Sequence, residues 1–173
     1  MSEAPTIRRL GEADLGAYKS LRDEMLAAHP EAFTSDAEAE RDKAASGYAS
    51  RFGLDGSDAA VFALGAFVGA RLVGAMACER DGRAKVRHIG HLIGMMVRPQ
   101  ARRAGIGRAL LEACIAEAHK VPGLEMLTLS VTATNADAVR LYGRAGFVRY
   151  GTQPRAIRLD GRYHDKDLMV LSL

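Results

Sequence analysis

The chain has no tryptophan, two cysteines and only 6% aromatic residues. Cys78 and Cys114 each lie in an apolar run with no second cysteine nearby. That excludes a disulfide framework or a cysteine zinc site and leaves two buried small hydrophobes, so no metal is expected. No uncharged apolar run approaches the roughly 18 residues of a membrane span, so no membrane partner is expected. The opening Met1-Ser2-Glu3-Ala4-Pro5-Thr6 lacks a basic stretch followed by an apolar core. No signal peptide is expected there, and a cytoplasmic location follows as an expectation. There is no long basic block and no aromatic signature of RNA binding, which argues against nucleic acid. Repeats, low-complexity tracts and linkers are also missing, so residues 1–173 are expected to form a single domain.

What is present is an ordinary globular balance: 48% hydrophobic and 26% charged residues over 173 positions. A chain of this size buries about 70% of its unfolded surface without staples. The net charge of +3 is mild and by itself suits an anionic ligand as easily as nucleic acid.

Residues 6–10 form a short strand candidate. Over 14–28, Leu15, Tyr18, Leu21, Met25 and Leu26 recur at helical spacing, with Asp14 as N-cap and Pro30 barring continuation. Residues 36–51 make a second, highly charged helix candidate. Two apolar runs, 59–68 and 72–79, flank Gly69-Ala70-Arg71 as a hairpin. Residues 85–97 read as a long strand in which Gly90 and Gly94 signal a bulge or a close backbone approach. The clearest helix is 105–120, striped by Ile106, Leu110, Cys114 and Ala118. A strand at 126–132, a short helix at 136–145 and a strand pair at 147–158 and 163–173 complete the chain. Strand, helix and strand across 85–132 imply a right-handed parallel crossover, hence an α/β fold with a mixed sheet.

One segment carries recognisable chemistry. In residues 97–111 a strand ends, a basic loop follows, and Gly105 and Gly107 open an amphipathic helix. The first N–H groups of a helix have no internal partner and sit at its positive end. Glycines let a ligand approach that backbone, and Arg102, Arg103 and Arg108 add positive charge. The constellation suits a phosphate or pyrophosphate. The nucleoside-triphosphate loop is excluded because Arg108 and Ala109 follow Gly107, and the dinucleotide fingerprint because position 110 is leucine.

Residues 97–111 resemble motif A of the GNAT superfamily, the Gcn-related N-acetyltransferases. The core [RQ]-x-x-G-x-[GA] is matched by Arg102, Gly105 and Gly107. From Asn135 to Phe147 the chain resembles the same family's N-x-x-A-x-x-L-Y-x-x-x-G-F. The resemblance implies the GNAT acyl-CoA N-acyltransferase fold, with a mixed central sheet of six to seven strands and about four helices. It implies acetyl-CoA as cofactor, paired along the backbone of Met95, Met96 and Val97 like an added strand. The pyrophosphate would then lie on the amides of Arg102, Arg103, Ala104, Gly105, Ile106 and Gly107, near Arg108, with Asn135 by the pantetheine arm. Arg103 departs from the family, which often has glycine there. Either its backbone suits a residue with a Cβ or the loop shifts.

The implied reaction is acetyl transfer to a primary amine of a small molecule by direct attack. Protein lysines or N-termini, and a non-catalytic acyl-CoA-binding module, are the alternatives. Many members form homodimers, so a second copy is compatible with the resemblance. Tyr142 is the implied general acid; it follows Asn135 by two helical turns, so both can share one face. The implied base is a Glu on the motif-A strand, and here His91 stands near it. A histidine near pKa 6.5 is a competent base at neutral pH. His91 also shares strand parity with Ile89, Ile93 and Met95, which equally suits a satisfied core histidine. Glu79 and Glu24 are further candidates. Members that acetylate ribosomal-protein N-termini carry L-E-V-R-x-x-N, where this chain has Leu129-Ser130-Val131-Thr132-Ala133-Thr134-Asn135. Ser130 cannot serve as that base, which favours small amines. The acceptor pocket is expected from residues 36–51 and 153–164.

Overall fold

A computed structural model describes residues 4–173. The elements run β1 (Thr6–Arg9), α1 (Leu15–Ala28), α2 (Ala37–Arg41), β2 (Phe62–Val68), β3 (Arg71–Arg80), β4 (Ile89–Val97), α3 (Ile106–His119), β5 (Met126–Thr132), α4 (Ala136–Arg144), β6 (Val148–Leu159) and β7 (Arg162–Ser172). One seven-stranded sheet has the order β1-β2-β3-β4-β5-β7-β6. Only β4 and β5 pair in parallel, joined by the crossover helix α3.

β2 and β3 read as unbroken apolar runs because both faces of the sheet are covered. Phe62, Leu64, Met76, Cys78, Leu92 and Leu127 pack beneath Leu110, Leu111 and Cys114 of α3. On the other face Ala63, Ala75, Ala77 and Met96 receive Tyr18, Leu21 and Met25 of α1. Leu110 and Leu127 are fully buried. Truncating either to alanine costs about 2–5 kcal/mol.

The charged segment 36–51 is not one helix. Only Ala37–Arg41 is α-helical, and short 3₁₀ turns follow at Ala45–Tyr48 and Ser50–Phe52. Tyr48 and Phe52 are its buried large side chains, each with its ring 5.1 Å from that of Tyr18. Two aromatic anchors against one partner hold tight turns rather than a long amphipathic stripe. β4 also starts later than its composition suggests, because residues Ala84–Val86 form another 3₁₀ turn.

Two features of β4 shape the site. Its pairing with β5 covers only Ile89 to His91 against Met126 to Thr128. Beyond His91 the strands splay, and that edge of β4 has no paired neighbour. On the other side the register with β3 jumps between Ala75↔Met96 and Ala77↔Ile93. Gly94 sits in this bulge with φ 62, a left-handed conformation that glycine adopts without steric cost. Gly90 serves differently: a Cβ there would lie 2.9 Å from Leu127 Cδ2, so its role is close packing.

Candidate active site

The splay forms a cleft whose wider end faces the start of α3. Arg102 is extended, Arg103 has φ 65, and Gly105, the N-cap, has φ 75. Arg103 thus keeps the loop in place by adopting the conformation that glycine would take. The first turn of α3 carries no acidic residue, and Ile106 anchors it at 2% exposure. The amides of that turn, the helix dipole and nearby arginines favour an anion. Arg102 is held by a bond of 2.7 Å between its Nη2 and His29 Nε2, and it donates through Nε to the Val97 carbonyl at 3.3 Å. Arg108 pairs with Glu112 at 2.7 Å.

A cavity of about 820 Å³ runs along Arg102, Arg103, Gly105 to Arg108, then past Met95, Val97, Thr132 and Asn135. A second, of about 380 Å³, continues from Met95 and Asn135 to Gly94, Tyr142, Glu79, Arg22, Arg51 and Lys166. The two share Ala32, Phe33, Met95, Thr132, Asn135 and Ala138. They form one channel, with an anion-favouring end and a mixed-charge end.

Asn135 is the N-cap of α4; its Oδ1 accepts from the Ala138 amide at 3.2 Å. That cap fixes the helix whose last turns present Tyr142. Tyr142 is 6% exposed and packs edge-on to Phe147 at 6.0 Å between ring centroids. Burial pushes its phenol up to about 12, so it is protonated at neutral pH. Lys166 donates to Thr34 Oγ1 at 2.8 Å, and desolvation pulls its ammonium below the usual lysine range.

The channel therefore brings together Met95, Val97, Arg102, Arg103, Gly105, Ile106, Gly107, Arg108, Asn135 and Tyr142. Met96 turns into the core beside α1 at 1% exposure and lines neither cavity. Ala104 is exposed and lines neither cavity. His91 also lies off the channel: it stands where β4 and β5 are still paired, and its Nδ1 is 2.6 Å from Thr128 Oγ1. Its neighbour across the β3–β4 ladder, Glu79, lines the smaller cavity instead. Residues 153–164 line neither cavity, and of 36–51 only Arg51 does. Arg22 and Lys166 were missed by sequence reasoning. The signal for Arg22 was an arginine one helical turn after Tyr18, on the apolar side of α1.

Residues 18–147 match the acetyltransferase (GNAT) family. The chain belongs to this family. A mycothiol acetyltransferase of Salinispora tropica is 33% identical over 144 residues, covering 80% of this chain and 42% of that protein. The ribosomal protein bS18-alanine N-acetyltransferase of Escherichia coli is 46% identical over 86 residues, covering 47% of this chain and 53% of that protein. The chain thus spans about half or less of the length of these curated relatives. The crystal structure of a GNAT acetyltransferase from Streptococcus pneumoniae superposes with a TM-score of 0.84 at 26% identity, covering 98% of this chain and all of that one. The mixed seven-stranded sheet is the GNAT fold, and acetyl-CoA is the GNAT cofactor. The residues fit that cofactor: beyond His91 the β4 edge is free to accept an added strand-like partner, and the α3 start offers unpaired amides. No helix among the described residues is long and apolar enough to cross a membrane, and no group of them could hold a metal ion.

Proposed function

We propose that the protein transfers an acetyl group from acetyl-CoA to a primary amine of a small molecule, by direct attack within a ternary complex. One observation carries this reading: a small cavity of about 380 Å³ opens onto the cofactor cleft at Met95 and holds Tyr142 and Glu79. That volume suits a metabolite-sized acceptor. Acetyl-CoA, when bound, supplies an activated thioester.

The protein's own residues supply the rest. The amides of Arg103 to Gly107 and the arginines would hold the pyrophosphate, and the free β4 edge at Met95 and Val97 would align the arm. A free alkylamine has a pKa of about 10.4 and reaches the site as an ammonium. Glu79, exposed and lining the acceptor end, takes that proton and returns it to solvent. His91, tied to Thr128, braces the closed end of the splay. Tyr142 Oη holds the proton that the sulfur needs. Its phenol near 12 faces a thiol near 8.5, a gap of roughly 5 kcal/mol. Tyr142 would therefore keep its proton and offer it to the sulfur through a hydrogen bond.

The bS18-alanine N-acetyltransferase similarity supports a second reading, transfer to a protein N-terminus. Ser130, lining the smaller cavity, cannot act as a base and weakens that reading. A thiol-release assay with acetyl-CoA and a panel of amines, amino acids, polyamines, aminoglycosides and short peptides decides between them. Small-amine turnover that falls sharply in Tyr142→Phe is the expected result. Turnover of peptides alone transfers the assignment to the second reading, and acetyl-CoA binding without any transfer refutes both.

A further inference from the structure

The acceptor end of the channel carries more positive charge than an incoming ammonium calls for. Arg22, Arg51 and Lys166 line it together with one carboxylate, Glu79. Arg22 is gripped from behind: its Nε donates to Glu40 Oε2 at 3.4 Å and its Nη2 donates to Ser35 Oγ at 2.9 Å. Its side chain is only 4% exposed. The remaining nitrogen, Nη1, is sealed from solvent and has no partner among the described residues. A buried guanidinium N–H without an acceptor is a costly feature that calls for a missing one.

The bulge on β4 shows where that acceptor belongs. A Cβ placed on Gly94 would lie 3.9 Å from Arg22 Nη1, 3.9 Å from Arg51 Nη1 and 3.6 Å from Tyr18 Oη. Arg51 Nη1 also donates to that tyrosine oxygen at 3.1 Å, which leaves the Tyr18 hydroxyl hydrogen free to donate elsewhere. Three donors thus converge on one point, and the absence of a side chain at Gly94 leaves it open. Met95, the next residue, belongs to both cavities.

We infer that this point binds the oxyanion, carboxylate or phosphonate, of an acceptor that carries its amine a few atoms away, and that Arg22 and Arg51 determine this specificity. The inference rests on the transferase reading and narrows it to amino acids and their phosphonate analogues. A planar guanidinium pair recognises an oxyanion by charge-assisted hydrogen bonds. Glu79 faces the ammonium end of the same molecule. Plain amines and polyamines lack the anion, and a protein N-terminus has none beside its amine.

The test reads binding rather than turnover. Wild-type protein saturated with CoA is titrated calorimetrically with N-acetyl-L-amino acids, their primary amides and the matching N-acetylaminophosphonates. The expected result is at least about tenfold tighter binding of one oxyanion series than of the amides, equivalent to about 1.4 kcal/mol. The better of the two series identifies the anion. The preference should vanish in Arg51→Gln and in Arg22→Gln; if Arg22→Gln shows no melting transition, Arg51→Gln decides. Equal binding of acids and amides by the wild type overturns the inference, and so does a preference that survives Arg51→Gln. Because no turnover is needed, failure to acetylate any amine defeats the transferase reading separately.

Discussion

Replacing Gly94 by alanine separates backbone strain from steric room, and the structure sets both magnitudes. With φ 62, an L residue at this position pays about 1–2 kcal/mol for the left-handed conformation. Alanine recovers about 0.4–1 kcal/mol by stiffening the unfolded chain. Steric overlap adds nothing, since no atom comes nearer than 3.6 Å to the new methyl. The net loss is about 1 kcal/mol, or a Tm drop of about 2–4 °C for a chain of this length. Gly90→Ala is the control. No left-handed φ is involved there, but its methyl would meet Leu127 Cδ2 at 2.9 Å and Cys78 Sγ at 3.2 Å. Overpacking of that kind costs about 1–3 kcal/mol. After the same gain from the unfolded chain, Gly90→Ala should lose a similar amount of stability, about 1 kcal/mol, while leaving the acceptor KM alone. Gly94→Ala should raise the acceptor KM, because its methyl stands in front of Arg22 and Arg51. Scanning calorimetry and thiol-release kinetics on both variants check this. An unchanged acceptor KM in Gly94→Ala, or a KM raised equally in Gly90→Ala, would show that the methyl at position 94 does not stand in the acceptor's way.

Three further outcomes are expected. Glu79→Gln should lower kcat/KM by about 10²–10⁴, the range for a lost general base, whereas His91→Ala, off the channel, should keep its pH–rate profile; steady-state kinetics across pH 6–9 separates them. Arg103→Gly should melt about 2–4 °C above Arg103→Ala, because only alanine pays for φ 65. Tyr142 holds its proton up to about 12 when folded against an ordinary 10.0, so its contribution is complete below pH 10 and lost as pH climbs to 12. The ceiling is about 3 kcal/mol at 1.36 kcal/mol for each unit, and Tyr142→Phe should flatten that part of an alkaline denaturation curve.

What was legible in the sequence was local. The start of α3 and the cap of α4 each follow from a few adjacent residues, so Arg102, Arg103, Gly105, Gly107, Asn135 and Tyr142 are candidates from the sequence alone, and all of them line the channel. The β2–β3 hairpin and the βαβ crossover were equally readable from apolar runs and turn residues. Non-local features were not. Parity groups His91 with Ile89, Ile93 and Met95, but only the strand pairing shows that it stands beside Glu79 where β4 and β5 are still joined, and that Glu79 lines the channel while His91 does not. The same holds for the segment 36–51, whose tight turns are set by Tyr48 and Phe52 packing on Tyr18 rather than by its own charge pattern. The acceptor end draws on α1, the turn at Ser50–Phe52, β3, β4 and β7, and no periodicity in one segment announces such a meeting. Arg22 illustrates the cost of reading stripes alone: the apolar stripe of α1 passes over it, although it is buried at 3% exposure.

A crystal structure of the protein grown with CoA tests most directly where the cofactor binds. The pyrophosphate should lie on the amides between Arg103 and Gly107, the pantetheine arm along Met95 and Val97 in the gap between β4 and β5, and the sulfur within hydrogen-bond reach of Tyr142 Oη. A cofactor bound outside the splay, or with its sulfur turned away from Tyr142, would contradict that placement.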